Sequence, residues 1–149
     1  MIRLSTKGRY GTRMMLNLAH NYHKGNNAVI LKNVSCDEEI SIRYLEQIII
    51  PLKINKLVKS IRGAGGGYIL ARHPSQIKLS EILNSLEGSM CLVECVEDDE
   101  FCKNIATCPT YEVWNKASAM LSDYFDRLTL QDLIESAEKK NPNKFKHKS

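Results

Sequence analysis

The sequence predicts a mainly α-helical protein that carries one small β-hairpin. Two observations lead there. Apolar residues recur at three- and four-residue steps in several separate stretches, which is the period of an amphipathic helix. The stretch LVKSIRGAGGGYILAR, residues 57–72, instead sets two strand-like runs around a glycine-rich turn.

The helices are read in order. Residues 5–23 form the first, with Ser5 or Thr6 as its cap and Tyr10, Met14, Leu18 and Tyr22 in one stripe beside Met15 and Ala19. HKGNNA breaks it. A short helix follows at about 31–38, and its Cys36 is expected in the core, as an isolated cysteine usually is. Ser41 caps the next helix, SIRYLEQIIIPLKIN, whose Ile42, Leu45, Ile49 and Leu52 share one face. Arg43, Glu46, Gln47 and Lys53 fall largely off that face, and Pro51 is expected to bend or end the rod. Beyond the hairpin, LSEILNSLEG reads as a helix with Ser80 as N-cap, Gly88 as stop, and Ile82, Leu83 and Leu86 inward. After Pro109 comes a long helix striped by Val113, Trp114, Ala117, Met120, Leu121 and Leu128. That stripe suits either a dimer seam or packing on its own domain. Thr129 caps a last short helix, and the polar, basic tail is expected to be disordered.

Composition bounds the function. With 149 residues, 43% apolar and 26% charged, the chain suits one globular domain or one domain plus an appendage. No apolar run approaches a membrane span, and MIRLSTKGRYGTRMM lacks the apolar core of a signal peptide. A cytoplasmic protein with reduced thiols is expected, and the odd count of five cysteines argues against a disulfide framework. Residues 1–90 carry 13 Lys and Arg against 6 Asp and Glu, a net +7; residues 91–149 carry 8 against 11, a net −3. The basic first part suits a polyanion, or a solvated surface with uneven charge. The hairpin glycines are no phosphate loop, because no Gly-Lys-Ser/Thr follows. His20, His23, His73 and His147 are scattered, with no acid pair beside them, which weighs against a redox enzyme or electron carrier.

Two helices followed by a hairpin with Arg62 at its base is the order of a winged helix-turn-helix. In that arrangement an exposed Arg and Gln stripe suits base-edge reading in a major groove, and the wing arginine suits the neighbouring minor groove. A solvated face is the plainer alternative for the same stripe. Gly63, Gly65, Gly66 and Gly67 allow positive φ and close backbone approach at the tip.

At this level of detail the chain resembles the winged-helix transcription factors of the iron–sulfur cluster regulator (IscR) type. The matching stretches are RLSTKGRYGTRMMLNLA, ISIRYLEQIIIPLK, LVKSIRGAGGGYILAR, LSEILNSLEG, VECVEDDEFCKNIATCPTYEVW and LTLQDL, together roughly residues 2–135. The resemblance implies a homodimer on palindromic promoter double-stranded DNA, joined by the long C-terminal dimerisation helix. It divides the chain into a DNA-binding domain at 1–88, a cysteine-bearing loop at 89–109, dimerisation and terminal helices at 110–138, and a tail at 139–149. It implies DNA contacts from Lys7, Arg9, Tyr10, Ser41, Arg43, Tyr44, Glu46, Gln47, Arg62, Gly65 and Gly66. Packing under the helix is the alternative role for Tyr44. The position of Glu46 tunes which DNA motif such regulators tolerate.

The resemblance also implies an iron–sulfur cluster, [2Fe–2S] favoured over [4Fe–4S], on Cys95, Cys102 and Cys108. Spacings of six and five residues are wide for a zinc knuckle, whereas thiolates on a loose loop suit a cluster. Relatives of this type complete the site with a histidine three residues after the last cysteine, or with a carboxylate in the first helix. Here those positions hold Tyr111 and Arg9, and Cys91 is the candidate fourth ligand or an ordinary loop residue. Glu94, Asp98, Asp99 and Glu112 are weaker candidates. Members that lack the cysteines act without a cluster, so a cluster-free or zinc-bound regulator controlled by a partner is the second reading.

Overall fold

The computed structural model describes residues 2–25 and 27–143. Helix α1 (Thr6–His23) starts where the Ser5 hydroxyl accepts from the Gly8 N–H at 3.1 Å. Met14, Met15, Leu18 and Ala19 are its buried face. Helix α2 (Leu31–Glu38) ends at Glu39, which takes a left-handed conformation with φ 55°. Ser41 then caps α3 (Ile42–Ile54), accepting from the Tyr44 N–H at 3.2 Å.

Three expectations change in this region. Cys36 is exposed, not core. The buried positions of α2 are Val34 and Glu38, and residues two apart on a helix do not share a face. The inward stripe of α3 is Leu45, Ile48, Ile49 and Leu52. Ile42 lies at the N-terminal end of that stripe and stays 42% exposed. Pro51 does not end the helix, which runs on to Ile54. A proline removes one backbone donor, and four buried side chains outweigh that loss.

The hairpin pairs β1 (Val58–Ile61) antiparallel to β2 (Gly67–Leu70), with Val58 opposite Leu70 and Ile61 opposite Gly67. Val29, just ahead of α2, adds a third edge by exchanging backbone hydrogen bonds with Tyr68 at 2.9 and 2.8 Å. Gly67 permits this approach. Its φ is 145°, and a Cβ there would stand 2.6 Å from the Val29 carbonyl.

Helix α4 (Leu79–Glu87) begins two residues earlier than a Ser80 cap implies. Lys78 is its N-cap, and the Glu81 carboxylate accepts the Lys78 N–H at 2.9 Å. Ser80 is instead buried in the first turn and donates to Asp126 at 2.7 Å. A tertiary tie sets this start: the Leu79 N–H donates to the Leu128 carbonyl at 2.8 Å and the Leu130 N–H to that of Ile77 at 3.0 Å. Burial works against the Glu81 carboxylate, but the Lys78 N–H and the Arg72 guanidinium hold its pKa below the ordinary value. Gly88 ends the helix.

A loop with one short helix, α5 (Glu94–Glu97), leads to the long α6 (Tyr111–Arg127). Helix α7 (Leu130–Lys140) follows, and Thr129 caps it in a reciprocal box with Asp132. Leu130 and Ile134 of α7 are buried in the same core as Met14, Leu45, Leu57, Leu70 and Ile82. Of the tail expected at 139–149, Lys139 and Lys140 complete α7, and residues 144–149 lie outside the described residues.

Gly67→Ala is expected to destabilise the domain by more than about 1 kcal/mol, since alanine fits neither that φ nor that space. Urea unfolding of the two proteins checks it.

Candidate functional site

Two regions carry the residues singled out by sequence. The first is the exposed side of the helix-turn-helix with its wing. Arg43, Glu46 and Gln47 are all exposed, and their spacing puts them on one face of α3. Arg9, Ser41, Arg62 and Gly65 are also exposed; Lys7, Tyr10, Tyr44 and Gly66 are half-buried. Some of these groups have internal partners. The Ser41 hydroxyl caps α3, and the Arg9 guanidinium donates to the Thr6 hydroxyl at 3.4 Å. The rings of Tyr10 and Tyr44 meet edge to face at 5.7 Å, so each tyrosine props the other between α1 and α3.

The second region is the loop between α4 and α6. Cys91, Cys95, Cys102 and Cys108 are free and partly exposed. Glu94, Glu97, Asp98, Asp99 and Glu100 are all exposed. Cys108 sits just ahead of α6. Its sulfur lies 3.4 Å from the Thr110 hydroxyl, and that contact, with the backbone at Thr110 and Tyr111, lowers the thiol pKa. Tyr111 turns into the loop and donates to the Asp99 carboxylate at 3.2 Å. Partial burial first, and then Asp99 and the thiols of Cys95 and Cys91, push its phenol up. The loop is fastened at its start, where the Leu92 N–H donates to the Ser118 hydroxyl of α6 at 3.0 Å and Ser118 donates to the Trp114 carbonyl at 2.8 Å. Cys91 lines a cleft of about 280 Å³ with Arg3 and Leu4, ahead of α1, and Leu121 and Phe125 of α6.

The donor set suits an iron–sulfur cluster chemically: soft thiols, accessible, one of them already acidified. Among the described residues, no three His, Cys, Asp or Glu side chains are gathered closely enough to hold a metal ion. The loop would have to draw its cysteines together around any such group.

The apolar residues of the long helix fall on two faces. Leu121 and Phe125 are half-buried, as is Leu128, which was expected in the helix but lies just past its end in extended backbone, while Val113, Met120 and Tyr124 are 53%, 72% and 60% exposed. The exposed three recur at steps of seven and four, a continuous seam. No helix among the described residues is long and apolar enough to cross a membrane.

Sequence reasoning missed several contributors. Thr110 was visible as a hydroxyl two residues after Cys108. Ser118 had no local signal. Arg13, Asn17 and Glu38 were also missed, because Asp37-Glu38-Glu39 reads as a solvated acidic run, yet Glu38 is buried.

An exposed α3, a glycine wing with Arg62 at its base and a helix-turn-helix core define a winged helix-turn-helix DNA-binding protein. The chain belongs to the Rrf2 family, described as an iron-dependent transcriptional regulator, which it matches over residues 4–136. It is 39% identical over 132 residues to the HTH-type transcriptional regulator CymR of Bacillus subtilis, covering 89% of each chain. It is 34% identical to the HTH-type regulator IscR of Sodalis glossinidius, over 92% of this chain and 81% of that one. Among solved structures, CymR (YrzC), the global cysteine regulator of B. subtilis, superposes with a TM-score of 0.76 at 38% identity, covering 91% of this chain and 98% of the other. IscR of T. potens also superposes at 0.76 with 38% identity, covering 94% and 91%. The protein is therefore a DNA-binding transcriptional regulator and not an enzyme.

Thr110→Val is expected to move the alkylation-rate profile of Cys108 to higher pH, because the hydroxyl favours the thiolate. Iodoacetamide labelling of metal-free protein across pH, read by peptide mass, checks it.

Proposed function

We propose that the chain is a homodimeric, sequence-specific regulator whose promoter binding responds to an iron–sulfur cluster. The observation that carries this is four free, partly exposed thiols on one loop fastened to α6. Cys95, Cys102 and Cys108 would hold the cluster, [2Fe–2S] favoured over [4Fe–4S], with Cys91 as fourth ligand. A bound cluster supplies one-electron exchange and sensitivity to oxidants. The chain's own part is mechanical. A loop that orders or loosens shifts the Leu92–Ser118 tie, which ends on the α6 seam helix, and the cleft beside Arg3 and Leu4, which leads into α1.

On the DNA side, Arg43 suits a guanine edge, Gln47 an adenine and Glu46 a cytosine amino group. Lys7 and Arg9 suit phosphates, Arg62 a narrow minor groove, and Gly65 and Gly66 let the wing backbone lie close. Ser41, Tyr10 and Tyr44 shape the start of α3 beside them. The seam of Val113, Met120 and Tyr124 supports a homodimer, since covering each such side chain is worth about 1.5–3 kcal/mol. The setting is the cytoplasm, where promoter DNA and reduced thiols meet.

A second reading is a cluster-free regulator controlled by a partner protein or small molecule. It is favoured by the dispersed cysteines and by the likeness to a global cysteine regulator.

Three results separate these readings. Anaerobically purified protein should be coloured, with visible charge-transfer absorbance. Cys95, Cys102 and Cys108 changed together to Ala should abolish the colour and change promoter affinity relative to reconstituted protein. Equal affinity with, without and unable to hold the cluster would sink the first reading. Independently, Met120→Glu should shift the protein from dimer to monomer in sedimentation and weaken operator binding at least tenfold.

A further inference from the structure

Beneath the DNA-facing surface lies a polar cluster that the functions above do not use. The Glu38 carboxylate is 4% exposed. Arg13, on α1, meets it twice: Nε donates to a Glu38 carboxylate oxygen at 3.2 Å, and Nη2 donates to the Glu38 backbone carbonyl. That carbonyl closes α2, at the residue before the left-handed turn that redirects the chain into α3. Asn17, one turn further along α1, donates to the Asp37 and Glu38 carboxylates at 3.1 and 3.4 Å. The Arg13 guanidinium also lies over the Tyr10 ring, 5.5 Å from its centre, and Tyr10 meets Tyr44 of α3 edge on.

Apart from the Arg13–Tyr10 stacking within α1, each contact has one end on α1 and the other at the end of α2 or on α3. A guanidinium at a helix C-terminus satisfies an orphan carbonyl and complements the helix dipole. Here the planar fork spans the Glu38 carboxylate and the Glu38 backbone carbonyl and fixes the two together, which a single point charge does not. Burying a carboxylate is costly unless it is paired, so this geometry is not freely exchanged for another. The side chain of Arg13 is 44% exposed, which leaves a direct phosphate contact as the competing role.

We infer that Arg13 is a positioning residue. It locks the α2–α3 turn to α1 through Glu38 and braces α3 through Tyr10 and Tyr44, and so sets the angle at which Arg43, Glu46 and Gln47 meet base edges. The inference rests on DNA reading by α3, not on the cysteine loop.

The test uses Arg13→Gln and, because that variant leaves Glu38 buried without its cation, also the Arg13→Gln/Glu38→Gln pair. Affinity is measured for a duplex that the wild-type protein selects from a random library, and for an unselected duplex, over a salt series and well below each variant's melting temperature. The expected result is a loss of about tenfold or more on the selected duplex, little change on the unselected one, and an unchanged salt slope, in both variants. Arg13→Lys should recover only part of the loss. Equal loss on both duplexes with the salt slope reduced by about one would make Arg13 a phosphate contact and overturn the inference. A lowered melting temperature with the selected-to-unselected ratio intact would make it merely structural and overturn it equally. If the wild type selects no sequence, base reading by α3 fails first.

Discussion

The rest of the fold depends on how closely α4 can approach α1. Gly8 and Gly11 lie in that contact, and both are buried. A Cβ at Gly11 would run into the Leu86 side chain, and one at Gly8 into the Glu87 carboxylate. Without side chains there, α4 settles against the backbone of α1, and Glu87 reaches the start of α1 to accept from Ser5 through its N–H at 3.0 Å and its hydroxyl at 2.6 Å. So α1 gains a firm N-terminal anchor on one side and a free platform elsewhere. Helices α2, α3 and α7 and strand β2 all rest on that platform. Lys7 and Arg9, in the first turn, thus stand on a rigid start rather than a fraying one.

What could be read from the sequence follows from whether the cause was local. Ser5, Ser41, Gly88 and Thr129 end their helices through groups within a few residues, and each was readable. The wing was readable because its glycines have only local alternatives. Ser80 was misread because the start of α4 is set by pairing between residues 77–79 and 128–130, some fifty positions away. Cys36 was misread and the burial of Glu38 was missed, both for one reason. Residue type suggests a buried thiol and a solvated acid, but α2 turns its 34 and 38 face inward, and Arg13 of α1 makes the acid acceptable there. The exposed polar stripe of α3 was visible in outline, while the contacts that hold α3 to α1 were not, since those join separate helices.

The apolar residues of α6 lie on two faces where the sequence shows one stripe. A stripe of six apolar residues looks like one surface serving either its own domain or a partner. In the folded chain it divides. Leu121 and Leu128 turn inward, with Phe125 beside them. Asp126, held below its usual pKa by Lys78 and Ser80, ties the C-terminal end of the helix to the start of α4. Met120 and Val113 turn out, with Tyr124 extending their line. The helix is therefore fixed to its own subunit before any partner arrives, so a dimer formed along the outer seam would inherit the orientation of each DNA-reading domain.

That arrangement shows how a loop of modest stability could influence DNA reading at all. The cysteine loop buries little of its own surface, and its five acids are solvated. It is held by a few specific ties: Leu92 to Ser118, Tyr111 to Asp99, and the cleft that joins Cys91 to Leu121, Phe125, Arg3 and Leu4. Each tie ends on α6, which carries the exposed apolar seam, or just ahead of α1, which carries Lys7 and Arg9. Segments with few buried contacts open at low cost. Changing the order of such a loop therefore perturbs its ties without unfolding the core beneath. None of these ties ends on α3 itself. A signal at the cysteines would then act through the placement of whole domains on DNA, while the choice of bases stays with α3.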